Sequence, residues 1–220
     1  MVSQFSIILG LLPAIVWLIF FLQEDRSKPE PKGMIISTFI VGGLITLVVL
    51  QLQIYFQEFT NLWGLKEYNS LNVFFLAGIE EFLKFLAVYL WVSRRKSFDE
   101  PIDAMIYMVV AALGFATVEN VVSVSRAVSG FELITLRFLG ATLVHSLSSG
   151  LVGYYWARAI LFGQKIWPII ILGLLLATII HTIFNSLILI FGPNWQITTF
   201  LGFVAFFILA DFEKLKINPK

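Results

Sequence analysis

The chain of 220 residues contains no cysteine and few charged residues. Without cysteine it can form no disulfide, and it has neither a thiol nucleophile nor a thiolate metal ligand. Asp, Glu, Lys and Arg make up 13% of the residues, about half of the roughly 25% that is usual in soluble domains. The formal net charge is +1, whereas a nucleic-acid-binding protein usually carries a strongly basic surface patch. We therefore expect no nucleic-acid partner.

Apolar sequence is abundant, with 59% hydrophobic residues and a mean hydropathy of +0.90. This composition predicts an all-α fold, a polytopic membrane helix bundle of about seven transmembrane helices with the lipid bilayer as its solvent. We expect one integral-membrane domain over residues 1–220. The predicted spans are residues 5–22, 34–56, 71–92, 103–127, 135–158, 166–191 and 195–211.

Basic residues divide unequally between the two ends of the predicted bundle. One end carries eleven of them, whereas the other carries Lys66, Arg126 and Arg137. Because Lys and Arg accumulate on the cytoplasmic side of membrane proteins, we predict a cytoplasmic C-terminus and an outside N-terminus. The eleven are Arg26, Lys28, Lys32, Arg94, Arg95, Lys96, Arg158, Lys165, Lys214, Lys216 and Lys220.

Two adjacent carboxylates, Glu80 and Glu81, interrupt the apolar segment 71–92. Each costs roughly 2.5–3.5 kcal/mol at bilayer depth, which indicates a function for the pair. Lys84 lies one turn after Glu80 and shares its helix face, so these two residues can pair. Glu81 points about 100° away on an α-helix. We therefore expect Lys84 to neutralise one carboxylate and to leave the other available as a base.

Other polar residues occur at similar positions in the next three spans. Glu119, His145 and His181 each lie about eight to ten residues from the outer end of a predicted helix, as does Glu80. At about 1.5 Å per residue, this puts all four about 12–15 Å below the outer surface. They are the ionisable part of a predicted polar layer, although such residues can also serve as hydrogen-bonding partners between helices.

Several signatures of proteolysis within membranes are absent, including His-Glu-x-x-His, Gly-x-Ser-Gly and Gly-x-Gly-Asp. The sequence instead resembles the PrsW-type intramembrane proteases, and it does so over nearly its whole length. Four motifs carry the resemblance, in order and on four successive predicted helices. They are Glu80-Glu81-Phe82-Leu83-Lys84, the segment 114–120 with Phe115, Glu119 and Asn120, then His145, and His181-Thr182-Ile183-Phe184-Asn185.

The resemblance implies a multi-pass protease of the bacterial cytoplasmic membrane, with its catalytic core in the helices of about residues 71–191. Its substrate would be a single-span anti-sigma factor, whose site-1 cleavage releases a sigma factor in a stress response. The resemblance also implies distant kinship with the CAAX-prenyl and bacteriocin-processing membrane proteases. Those enzymes have Glu-Glu-x-x-x-Arg, so Lys84 comes one position early here, and Glu119 replaces a histidine.

A mechanism follows from these residues. Glu80 or Glu81 activates a water, a histidine with Asn185 stabilises the oxyanion or protonates the leaving amine, and Glu119 orients a histidine or the water. A second version adds one divalent metal such as zinc on His145, His181 and Glu119. Both versions stay open. The predicted catalytic residues are Glu80, Glu81, Glu119, His145, His181 and Asn185, and the supporting residues are Lys84, Phe115, Asn120 and Ser149.

Two other classes of protein fit the same polar layer. Buried glutamates and histidines also suit a proton-coupled transporter, although the sequence has no internal repeat and no pair of broken helices. A non-catalytic membrane scaffold would tolerate alanine at these positions.

Overall fold

The fold is known from a computed structural model, which describes residues 4–25, 28–62, 64, 69–127, 129–192 and 195–217. No strand occurs among these residues, which confirms the all-α prediction. A single 3-10 turn, Gln23–Asp25, follows the first helix. The α-helices are α1 (Gln4–Leu22), α2 (Lys32–Leu62), α3 (Ser70–Val92), α4 (Asp103–Arg126), α5 (Gly130–Leu139), α6 (Ala141–Leu161), α7 (Ile166–Phe191) and α8 (Trp195–Ile217).

The prediction of one helix over residues 135–158 is wrong, because this region holds α5 and α6 with a break at Gly140. A Cβ atom at this position would lie 2.8 Å from the carbonyl oxygen of Leu136, so the break needs a glycine. The apolar pattern runs through the break and did not reveal it. As a result, His145 lies one turn after the start of α6 at Ala141, and not about ten residues into a helix.

Four helices, α1, α2, α4 and α7, are long and apolar enough to cross a membrane. Helix α3 has the length of a span but carries Glu80, Glu81 and Lys84. Large apolar side chains cover the outside of the bundle, as at Leu90 and Ile190, which are 69% and 70% exposed. An apolar exterior of this kind requires lipid around it, so the chain is a membrane protein.

Helix α4 lies at the centre of the bundle, where it packs against α1, α2 and α6. Every residue from Asp103 to Thr117 is buried. Glycines bring the backbones together, because a Cβ atom at Gly42 of α2 would overlap the carbonyl oxygen of Ala111, and one at Gly114 would overlap that of Phe39. Close packing of this type is common between membrane helices.

The helices that carry the polar residues surround this centre. Helix α3 packs against α2 and α7, and α6 packs against α4 and α7. The short α5 contacts α1, α4 and α6. It is fixed to α1 by Trp17, whose Nε1 donates to the carbonyl oxygen of Phe138 at 2.9 Å and whose ring stacks on that phenylalanine.

The direction in which the bundle crosses the membrane stays a prediction. Three of the charges used for it, Arg26, Lys66 and Lys220, lie outside the described residues.

Candidate active site

Glu81 is held by hydrogen bonds on both carboxylate oxygens. Its Oε1 accepts from Lys84 Nζ at 2.7 Å, from Ser148 Oγ at 2.8 Å and from His181 Nδ1 at 2.9 Å. Its Oε2 accepts from Ser149 Oγ at 3.1 Å. Lys84 therefore pairs with Glu81 at a spacing of three residues, which answers the question of which glutamate it neutralises.

Glu80 has a different environment. Its Oε1 accepts a hydrogen bond from Nε2 of Gln53 on α2 at 2.8 Å. Its Oε2 is buried and accepts no hydrogen bond. This oxygen lies 3.8 Å from Nδ1 of His145 and 3.8 Å from Nε2 of His181. Of the two glutamates, Glu80 is thus the one with a free oxygen next to the histidines.

The partners of His145 define which nitrogen carries its proton. Nε2 lies 2.8 Å from Oε2 of Glu119, a carboxylate that accepts, so this nitrogen is the donor. Nδ1 lies 3.2 Å from Nζ of Lys84, which has only protons to donate, so Nδ1 is the acceptor. The ring of Phe115 packs beside the imidazole with its centroid at 5.2 Å. Nδ1, which accepts from Lys84, is also the nitrogen of His145 nearest to Oε2 of Glu80.

His181 is oriented in the complementary sense. Its Nδ1 donates to Oε1 of Glu81, which leaves a lone pair on Nε2 facing Glu80. The two imidazole rings are nearly perpendicular, at 88°, with centroids 4.8 Å apart. Each histidine is thus fixed by its own carboxylate, Glu119 for His145 and Glu81 for His181, and the opposite ring nitrogen of each lies 3.8 Å from Oε2 of Glu80.

A network beyond the histidines surrounds Glu119. Arg137 on α5 donates to Oε2 of Glu119 from a terminal nitrogen at 3.2 Å and to Oδ1 of Asn120 from Nε. Asn120 Nδ2 donates to Thr142 Oγ1 at 3.0 Å and to the carbonyl oxygen of Gly10 at 3.3 Å. These bonds connect α4 with α1, α5 and α6.

Sequence reasoning missed two contributors to this arrangement, Gln53 and Arg137. Gln53 could have been noticed because it is a polar residue within the apolar helix α2. Arg137 was counted only as a charge on the outer side, because the predicted helix did not show that α5 folds back over Glu119.

A cavity of about 700 Å³ opens beside these residues. Helices α2 to α8 all contribute to its lining, α4 through Glu119. Most of the wall is apolar, with Leu76, Leu136 and Phe184 among its residues, and the free side of Glu80 forms its polar end. Asn185 also lines it, one turn after His181. The cavity can take an apolar peptide segment next to the Glu/His group.

The same group has the chemistry of a metal site. One donor atom from each of Glu80, His145 and His181 lies within 4.8 Å of the others. In the neutral imidazoles these nitrogens are electron-pair donors, and with the carboxylate oxygen they form a ligand set that suits a divalent cation. Each histidine also has an outer carboxylate, as metal-bound histidines usually do. The residues fit one divalent ion, provided that Lys84 withdraws from Nδ1 of His145.

The carboxylate in this group is Glu80 and not Glu119, which was the expected ligand. Glu119 contacts His145 through Nε2, on the side of the ring that faces away from Glu80.

An apolar helix bundle with a buried Glu/His group beside a cavity has the features of a membrane-embedded hydrolase. Residues 30–210 match the profile of the PrsW family intramembrane metalloproteases, and the chain belongs to this family. It is 28% identical to Protease PrsW of Bacillus subtilis over 94% of each chain. It is 28% identical to Protease PrsW of Geobacillus kaustophilus, over 84% of this chain and 81% of that one. No solved structure matches it.

Proposed function

We propose that this chain hydrolyses a peptide bond within a membrane-protein substrate, with the water bound and deprotonated at Oε2 of Glu80. One observation carries the proposal: this buried oxygen accepts no hydrogen bond and lies 3.8 Å from a ring nitrogen of each histidine. It also borders the cavity that would receive the substrate. Membership of a family of intramembrane proteases supports the same chemistry.

Glu81 has no role as the base in this proposal. Its two oxygens already accept from Lys84, Ser148, Ser149 and His181. A carboxylate that is saturated by donors and paired with a buried ammonium group is a poor proton acceptor, because protonation would break these bonds. Glu81 instead fixes the orientation of His181.

The reaction needs one proton transfer to Glu80 and one from it. Glu80 takes a proton from the water, whose oxygen bonds to the scissile carbonyl carbon. The proton then passes to the leaving nitrogen as the carbon–nitrogen bond breaks. The amide of Asn185 supplies a donor for the oxyanion from the cavity wall. Neither histidine offers a proton toward Glu80, because each one donates to its own outer carboxylate.

We propose, as a second form of the site, that Glu80, His145 and His181 hold a divalent ion such as zinc, with Glu80 then a ligand in place of the proton acceptor. Such an ion, when bound, polarises the scissile carbonyl and eases the loss of a proton from water. Glu119 and Glu81 keep the two histidines in the tautomers that turn their lone pairs inward. Phe115 and the apolar cavity wall keep bulk water away from this point.

The proposed substrate is a single-span anti-sigma factor, as the resemblance implies, cut near the outer face of the bacterial cytoplasmic membrane. We propose a single protease domain with seven spans, an outside N-terminus and a cytoplasmic C-terminus. Seven described helices of 19 residues or more support the number of spans. The apolar lining of the cavity supports a substrate segment from within the membrane.

Comparison of membrane proteins between a parent strain and a deletion strain tests this function. We expect a single-span protein to accumulate uncut in the deletion strain. Expression of the wild-type chain restores its cut form, whereas expression of Glu80→Gln at the same level does not. Restoration by Glu80→Gln would remove the proposed chemistry.

A further inference from the structure

We infer that Arg137 is a positioning residue for the reaction, since it holds Glu119 in the place that fixes the tautomer of His145. The inference rests on the proposed function, in which Nδ1 of His145 lies beside Oε2 of Glu80. Arg137 touches neither the histidines nor Glu80 in the structure, and its effect passes through Glu119.

The guanidinium group joins two consecutive residues of α4. One terminal nitrogen donates to Oε2 of Glu119 at 3.2 Å, and Nε donates to Oδ1 of Asn120. Arg137 and Glu119 are 19% and 21% exposed at their side chains, so the pair is largely shielded from solvent. The bond to Asn120 fixes the guanidinium group itself, so that its second donor meets Glu119 at a defined position.

The same oxygen of Glu119 accepts from His145. Its Oε2 lies 2.8 Å from Nε2 of the imidazole, so the proton of His145 stays on Nε2 while Glu119 stays in place. Glu119 also borders the cavity, into which its side chain can turn. Without Arg137 the carboxylate loses its charge partner and its tether to Asn120, and nothing else on α5 would hold it against His145.

Helix α5 has the geometry to carry this function. Arg137 and Phe138 are adjacent, and they fix the helix in two directions, Arg137 to α4 and Phe138 to Trp17 of α1. Leu133 and Leu136 on the same short helix line the cavity. The element that borders the proposed substrate site therefore also restrains the histidine that works there.

Histidine tautomers give a readout that a purely structural role of Arg137 would not change. The chain has only two histidines, so protein labelled with ¹⁵N-histidine gives ring signals from His145 and His181 alone. In the wild type, purified in detergent, we expect His145 to be protonated on Nε2 and His181 on Nδ1. In Arg137→Gln we expect a tautomer mixture at His145 and an unchanged signal at His181.

Kinetics provide the second readout, with the single-span protein that accumulates uncut in the deletion strain as the probe. Loss of an outer partner of this kind costs about 10–100-fold in activity. We expect Arg137→Gln to lose this factor in kcat, measured at saturating substrate. Because Arg137 also lines the cavity, KM can rise as well, and only the fall in kcat is assigned to positioning. Arg126→Gln, at an exposed arginine on the helix of Glu119, is the control and keeps wild-type kcat.

Arg137→Lys carries the test if the glutamine variant does not fold. Lysine keeps a charge opposite Glu119 but cannot also reach Asn120, so kcat should lie between the wild type and the glutamine variant. Wild-type kcat together with an unchanged His145 signal in a folded Arg137 variant would overturn the inference. Activity of Glu80→Gln would instead overturn the proposed function, so the two failures are distinguishable.

Discussion

The ammonium group of Lys84 lies 2.7 Å from Oε1 of Glu81, and both side chains are completely buried. This pair separates the two adjacent glutamates. Glu81 becomes a fixed, fully bonded group, whereas Glu80 keeps an oxygen free beside the two histidines. The different environments of neighbouring residues give them different proposed roles, Glu81 in orientation and Glu80 in the reaction.

Loss of the ammonium group should destabilise the bundle. Lys84→Met leaves the charge of Glu81 buried without its partner, which typically costs about 3–5 kcal/mol. We expect a clear fall in the thermal unfolding temperature of the protein in detergent.

Lys214→Met is the matched control for that measurement. Lys214 also pairs with an acid three residues away, Asp211, but its side chain is 61% exposed. Such pairs contribute about 0–1 kcal/mol, so little change is expected. In the double variant Glu81→Gln/Lys84→Met, the loss should be smaller than the sum of the single losses. A Lys84→Met protein as stable as the control would refute the role assigned to the pair.

Gln53 should matter because it fixes the position of Glu80. Gln53→Ala removes the hydrogen bond to Oε1, and we expect kcat to fall by about tenfold or more, as for other outer partners of a reactive group. Gln51→Ala, at an exposed glutamine on the same helix, should keep the wild-type rate. Equal rates for the two variants in a cleavage assay would mean that Glu80 needs no such support.

Removal of metal distinguishes the two forms of the site, because only the metal-bound form should lose its activity. For that form, a chelator is expected to abolish cleavage by purified protein in detergent, and added Zn²⁺ is expected to restore it. Glu80→Gln and the two histidine variants should bind less Zn²⁺ than the wild type, as measured by elemental analysis after dialysis. A preparation without any bound metal that cleaves at the full rate would leave Glu80 as a base without an ion.

The sequence predicted most of the helices and most of the residues that meet around Glu80, but not α5, Gln53 or Arg137. It could not decide which glutamate Lys84 binds, because that choice depends on Ser148, Ser149 and His181, which come from other helices. Helix geometry alone favoured Glu80. Neighbouring elements likewise determine the contacts of Arg137, which depend on a helix break at Gly140 within a continuous apolar pattern.

The set of candidate metal ligands also could not be predicted from the sequence alone. Depth along each helix placed Glu119 and Glu80 in one layer, and it could not show which carboxylate faces both histidines. The structure puts Glu119 behind His145 and Glu80 between the two rings. Which carboxylate faces the histidines depends on how each helix is rotated about its own axis. That rotation is set by packing between helices, which the depth along a helix does not show.

The most direct test compares Glu80→Gln with the wild type in one cleavage assay, after thermal unfolding has shown that both proteins are folded. The single-span protein that accumulates uncut in the deletion strain serves as the substrate. The account predicts that Glu80→Gln has no detectable cleavage and an unfolding temperature close to that of the wild type. Cleavage at the wild-type rate by a folded Glu80→Gln protein would contradict it.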